Sequence, residues 1–95
     1  MSEPVLHHIL FYDYVEDVLE RRGPYRDEHL ALAQQWKDDG TLVSAGALGS
    51  PPSGGMFVFL VDDPALIDAY VEADPYVANG IVTAHRIVPW TVVVS

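Results

Sequence analysis

The sequence predicts an α+β domain in which one antiparallel sheet of four strands carries two helices on a single face. Two observations predict it. β-Branched and aromatic residues gather in four stretches of strand length. Between the first and second of these, and again between the third and fourth, apolar residues recur at helical spacing. A length of 95 residues adds that this is a single domain, residues 1–95, because one core usually serves ~100–150 residues.

The first strand is "VLHHILFYDY", Val5 to Tyr14, and "VEDVLERRGP" after it is a charged connection broken at Gly23-Pro24. Pro24 to Asp39 reads as a helix, with His29, Ala33 and Trp36 on one stripe and Leu30 and Leu32 beside it. Asp27 and Glu28 suit the positive end of its dipole, and Gly40 is a natural stop. "TLVSAGAL" is the second strand and "SPPSGG" a hairpin loop. The third strand is "MFVFLV", Met56 to Val61, apolar on both faces. Asp63-Pro64 opens the second helix, with Leu66, Ala69, Tyr70 and Ala73 on its stripe. That helix ends near Asp74, because a residue before proline is pushed out of the helical region. "IVTAHRIVPWTVVV" is the last strand, with Pro89 at a bulge or an edge.

The order βαββαβ with right-handed crossovers is that of the ferredoxin-like sandwich, with both helices on one face of the sheet. "MFVFLV" and "TVVVS" also offer apolar side chains to the face the helices leave bare. A bare apolar face marks an interaction surface, and a homodimer packed sheet face against sheet face is the expectation.

Composition removes several function classes. Hydrophobic residues at 49% and charged residues at 20% describe a globular chain. A net charge of −9 lacks the basic footprint that nucleic acid requires and disfavours an anionic membrane surface. With no cysteine, a disulfide framework, a thiolate metal site and a thiol nucleophile are excluded. "MSEPVLHH" has no basic region followed by an apolar run, and no apolar run approaches the ~18 residues that cross a bilayer, so the cytoplasm is the expected location. The motifs of a phosphate loop, a dinucleotide fingerprint, a zinc helix and a nucleophile elbow are all missing, and no cofactor or metal is expected.

Four residues carry the chemistry that remains. Taken singly, His29 reads as a partly buried histidine, Asp74 as a helix-end residue satisfying backbone groups, and Tyr76 as a cover for the core. The fold changes their weight. Side-by-side helices bring the start of the first near the end of the second, carrying Arg26 and His29 towards Asp74 and Tyr76. A carboxylate beside an imidazole fixes its tautomer and raises its basicity, and Arg26 can grip a carboxylate or enolate-like oxygen. Ser44 is a further substrate-binding candidate from the second strand, although strand parity leaves open which face it and His8 occupy. His7 and His8 are adjacent and so point to opposite faces, and His85 has no neighbouring signature.

The pattern "LERR…YRDEHLALAQQW…DDGTLVSAGAL" followed by "VEADPYVANGIV…RIVPW" resembles the YciI-like (YCII-related) family over roughly Val5 to Trp90. The most specific parts are Arg26 with His29, then Gly40, Leu42 and Gly46, then "ADPY" from Ala73 to Tyr76. The resemblance implies a dimeric ferredoxin-like α+β barrel whose active site is built on His29 and Asp74, with Arg26 and Tyr76 around them. One branch of the family is similar to a dehydrochlorinase of a chlorinated hydroxyhydroquinone. It implies lyase-like or isomerase-like acid–base chemistry, without a cofactor, on a small anionic or phenolic molecule. "SAGAL" departs from many relatives, which have a proline after the glycine. Two other readings stay open: a non-catalytic dimeric module that binds a small molecule or docks on a larger assembly, and a regulatory oligomer.

Overall fold

The computed structural model describes residues 5–95. Its elements run β1 (Val5–Tyr14), α1 (Val18–Arg21), α2 (Gly23–Asp38), β2 (Leu42–Leu48), β3 (Gly54–Phe59), α3 (Ala65–Ala73), α4 (Pro75–Ala78) and β4 (Val82–Val92). The strands form one sheet in the order β2-β3-β1-β4, with every neighbouring pair antiparallel. This is the expected βαββαβ sandwich, with two short helices added at its corners.

Period-two alternation sorts β1 onto two faces. His8, Leu10 and Tyr12 point to the helices, where Leu10 and Tyr12 join Phe57, Phe59, Ile67 and Tyr70 in the main core. α2 contributes Leu32, Ala33 and Trp36, and the Trp36 ring meets Phe59 and Tyr70 edge-on at 5.9 and 5.3 Å. The opposite face carries Ile9, in register with Val58 on β3 and Val88 on β4. It also carries Phe11, with the Arg86 guanidinium 4.5 Å above its ring, and Trp90, in register with His7. Among the described residues no helix covers that face, and Trp90 is 42% exposed.

Helix boundaries follow capping chemistry. At the end of α2 the Gly40 N–H donates to the Lys37 carbonyl and the Thr41 N–H to the Trp36 carbonyl. Gly40 has φ +84, the left-handed value this cap demands. At the other end α2 begins at Gly23, so Asp27 and Glu28 lie in its second turn and not at the dipole's positive end. The "charged connection" contains α1, because Val18 is buried against Tyr76 and Ile81. One buried valine, hidden among charges, anchors that turn.

Both ends of β3 differ from expectation. β3 begins at Gly54, inside the supposed loop, and releases Leu60 and Val61. The glycines fit there because a Cβ on Gly54 would collide with the Tyr12 carbonyl of β1, and one on Gly55 with the Tyr14 hydroxyl. Pro89 takes the edge position, the second of its two expected places, in an unbroken part of the β4 ladder, and the bulge lies where Asp13 pairs Ala84 and Tyr14 pairs Val82. Proline's missing N–H costs nothing on the outer side of an edge strand. Among the described residues no helix is long and apolar enough to cross a membrane.

Candidate active site

Pro75 builds the site. It forces Asp74 to an extended conformation, φ −79 and ψ 119, so that one residue ends α3 and caps α4. The chain turns there, and the Asp74 carboxylate points into the protein, fully buried. Three donors converge on it. The Tyr76 backbone N–H donates to Oδ1 at 3.0 Å, and the Tyr12 hydroxyl donates to Oδ2 at 2.9 Å. The third is His29, in the second turn of α2, whose Nδ1 lies 2.9 and 3.0 Å from the two carboxylate oxygens.

A carboxylate only accepts, so the His29 Nδ1 carries a proton and Nε2 is the ring nitrogen left for another partner. The ring cannot swing. Tyr76 stacks on it at 3.7 Å with the planes 2° apart, and Phe57 meets it edge-on at 6.0 Å. His29 is 6% exposed, and it lines a cleft of about 200 Å³ between α2 and β2. Arg22, Arg26, Tyr14 and Tyr76 supply its polar wall, and Leu30, Ala33, Phe57 and the Ala45–Ala47 stretch supply the apolar one. A cavity of roughly 150 Å³ accommodates benzene, so the cleft has the scale of one substituted ring.

The electrostatics favour a donor-rich site. Burial, then the Asp74 charge and the hydrogen bond to it, hold the Tyr12 phenol far above the usual range. Tyr14 is pushed up to about 12 by burial and by Tyr76 and Asp74, with Arg22 opposing. Tyr76 is raised by burial, against the pull of Arg22 and Arg26. These phenols stay protonated and can donate. Among the described residues neither Arg22 nor Arg26 forms an ion pair, although acidic residues outnumber basic ones 14 to 5. Also among the described residues, no group of three or more His, Asp or Glu side chains could hold a metal ion.

Of the sequence candidates, His29, Asp74, Arg26 and Tyr76 come together at one place. Ser44 does not. A register shift between Leu42 and Ser44 reverses the parity of β2, so Leu42 faces the core while Ser44 pairs with Val58 on the open face. Ala45 and Ala47 take its place on the cleft side. His8 faces the core, but its Nδ1 donates to the Val61 carbonyl at 2.9 Å, and it is not part of the cleft wall. Sequence reasoning missed Tyr12, Tyr14, Phe57 and Arg22. The two tyrosines share strand parity with Leu10, and Arg22 lies four residues before Arg26, a helical spacing visible only once α2 is known to start early.

A family model for the YCII-related domain matches residues 6–91. The chain belongs to the YCII-related domain family. No curated protein sequence matches it. Among solved structures it is similar to 5-chloro-2-hydroxyhydroquinone dehydrochlorinase (TftG) from Burkholderia phenoliruptrix AC1100, in complex with 2,5-dihydroxybenzoquinone, at a TM-score of 0.74 and 16% identity over 88% of this chain and 92% of that one. An antibiotic biosynthesis monooxygenase gives a TM-score of 0.58 and 14% identity over 94% and 99% of the two chains. An uncharacterized NIPSNAP domain protein from Burkholderia xenovorans gives 0.51 and 20% over 90% and 92%. At these identities the likeness is one of fold, shared by proteins with different activities.

Proposed function

We propose that this YCII-related domain is a small cofactor-independent enzyme, lyase-like or isomerase-like, that uses His29 and Asp74 for acid–base chemistry on a single-ring phenolic or anionic molecule. The observation that carries the reading is the buried Asp74 holding His29 Nδ1 while His29 lines a ring-sized cleft. Arg22 and Arg26, without carboxylate partners among the described residues, supply charge for an anionic oxygen. The likeness to the dehydrochlorinase supports elimination as the reaction class.

For a chlorinated hydroxyhydroquinone the steps balance without an oxidant. His29 Nε2 takes a hydroxyl proton as the ring shifts to its keto form, and the carbon bearing chlorine gains a proton. Loss of chloride, with a second hydroxyl proton, then leaves a quinone, so the net loss is HCl. Each step needs a base that becomes an acid, which is what a positioned imidazole provides.

The test is chloride release and quinone absorbance with 5-chloro-2-hydroxyhydroquinone, in the native chain and in His29→Asn. Positioned acid–base groups contribute ~10²–10⁴-fold, and a loss of that size in the variant is expected. Binding of 2,5-dihydroxybenzoquinone without turnover would move the non-catalytic binding module to the front. Neither binding nor turnover would remove both.

We also propose that the protein works as a cytoplasmic homodimer joined through the face of Ile9, Phe11, Val58 and Trp90. The half-exposed Trp90 and the lack of a covering helix support it. Sedimentation of the native chain against Trp90→Lys, at a position 42% exposed, checks it, with a dimer-to-monomer change expected.

A further inference from the structure

We infer that Tyr14, a residue outside the His29–Asp74 pair, is the hydrogen-bond donor that meets the oxygen of the bound molecule on which charge develops. The inference rests on the acid–base reading of the cleft and adds a group to it.

Tyr14 ends β1 on the same face as Leu10 and Tyr12, so strand parity alone aims it at the helix layer. It lines the cleft together with His29, Arg22 and Tyr76. Its ring stands edge-on to Tyr76 at 6.0 Å and 81°, while Tyr76 lies flat on His29, so the three rings form one rigid wall. Its hydroxyl is seated in a notch: a Cβ on Gly55 would come within 2.7 Å of the Tyr14 oxygen. β3 thus lacks a side chain at the one place where the phenol must lie.

Its hydrogen bonding differs from that of its neighbours. The Tyr12 hydroxyl is committed to Asp74, whereas the Tyr14 hydroxyl donates to no protein acceptor among the described residues. An uncommitted phenol on the wall of a cleft, beside Arg22, which has no ion pair among the described residues, has a bound molecule as its partner. Burial and the neighbouring Tyr76 and Asp74 keep it protonated to about pH 12, so it donates throughout the working range. Donor and proton carrier then address different atoms: Tyr14 holds an oxygen while His29 moves the proton. Donors placed where charge develops act mainly on the chemical step.

Two variants disturb this hydroxyl in different ways. Tyr14→Phe removes the oxygen and keeps the ring in its packing. Gly55→Ala keeps the oxygen and pushes it from its seat, and Gly55 has an ordinary negative φ that alanine tolerates. Turnover of 5-chloro-2-hydroxyhydroquinone and binding of 2,5-dihydroxybenzoquinone are measured in both, beside the native chain. The expected result is a fall of ~10²-fold in kcat with KM changed less than ~3-fold in Tyr14→Phe, and a partial fall in Gly55→Ala. Native turnover with an unchanged kcat in Tyr14→Phe overturns the role of Tyr14 and leaves His29–Asp74 standing. A native chain that neither binds nor turns over overturns the acid–base reading and this inference with it.

Discussion

Asp74→Asn is the sharpest probe of the candidate site, because it keeps the shape and removes the carboxylate. Three donors meet the carboxylate at 2.9–3.0 Å in a fully buried setting: His29 Nδ1–H, the Tyr12 hydroxyl and the Tyr76 N–H. Hydrogen bonds to a charged group contribute ~1.5–3 kcal/mol and neutral ones ~1, so weakening three of them costs ~3 kcal/mol. The amide also turns one acceptor into a donor, so either Tyr12 reverses its hydroxyl or one donor loses its partner. Relief of the buried charge's desolvation returns part of this, leaving ~2–3 kcal/mol. For a chain of 95 residues that is a fall of ~10–20 °C in Tm, inside a total stability of ~5–14 kcal/mol, so the variant still folds. The assay is thermal unfolding by circular dichroism, together with the ¹⁵N shifts of His29 at neutral pH. Whenever the ring is neutral, the native chain should hold its proton on Nδ1 and the variant should show a mixture of tautomers. A Tm within ~2 °C of native, or a neutral native ring with its proton on Nε2, would refute the reasoning.

Three further outcomes follow from the packing. Gly54→Ala drives a Cβ into the Tyr12 backbone carbonyl and should cost ~3 kcal/mol or more by urea unfolding, whereas Gly46→Ala, with nothing within 4 Å, should stay within ~0.5. The Tyr70 hydroxyl is buried with no partner among the described residues, so Tyr70→Phe should be neutral or stabilise by ~1 kcal/mol in the same assay, and a loss above that would mean the hydroxyl is bonded. Stability should fall as pH rises above 10. Unfolded tyrosines release their protons there, while Tyr14 holds its own to about 12 and the Tyr12 and Tyr70 phenols are raised as well. The folded state binds more protons in that window, so its advantage is full below 10 and lost on the way up. Tm at pH 9 against pH 11, with tyrosinate absorbance followed in parallel, checks the sign.

The sequence announced the site's main pair through local constraints. Asp74 stands before Pro75, and a proline there dictates an extended residue whatever surrounds it. His29 sits on the apolar stripe of α2, whose helical spacing is a local property. The strand of His8, Leu10 and Tyr12 was legible for the same reason. Ser44 was not. A single extra residue in β2 reverses the face of everything after it, and bulges have no composition signal in "LVSAG". Val18 likewise became an anchor only when Tyr76 and Ile81 arrived beside it from the far end of the chain.

By itself, then, the sequence determined the order of elements, the break at Asp74 and the stripe that carries His29. Each of these depends on backbone sterics or on periodicity within about a dozen residues. Tertiary structure alone decided that Tyr12 would brace Asp74, that Tyr14 would lie in the notch of Gly55, and that Arg22 would join Arg26 at the cleft. Those contacts join residues far apart in the chain, and only the stacking of α2 and α4 over a sheet of fixed register brings them within hydrogen-bond reach.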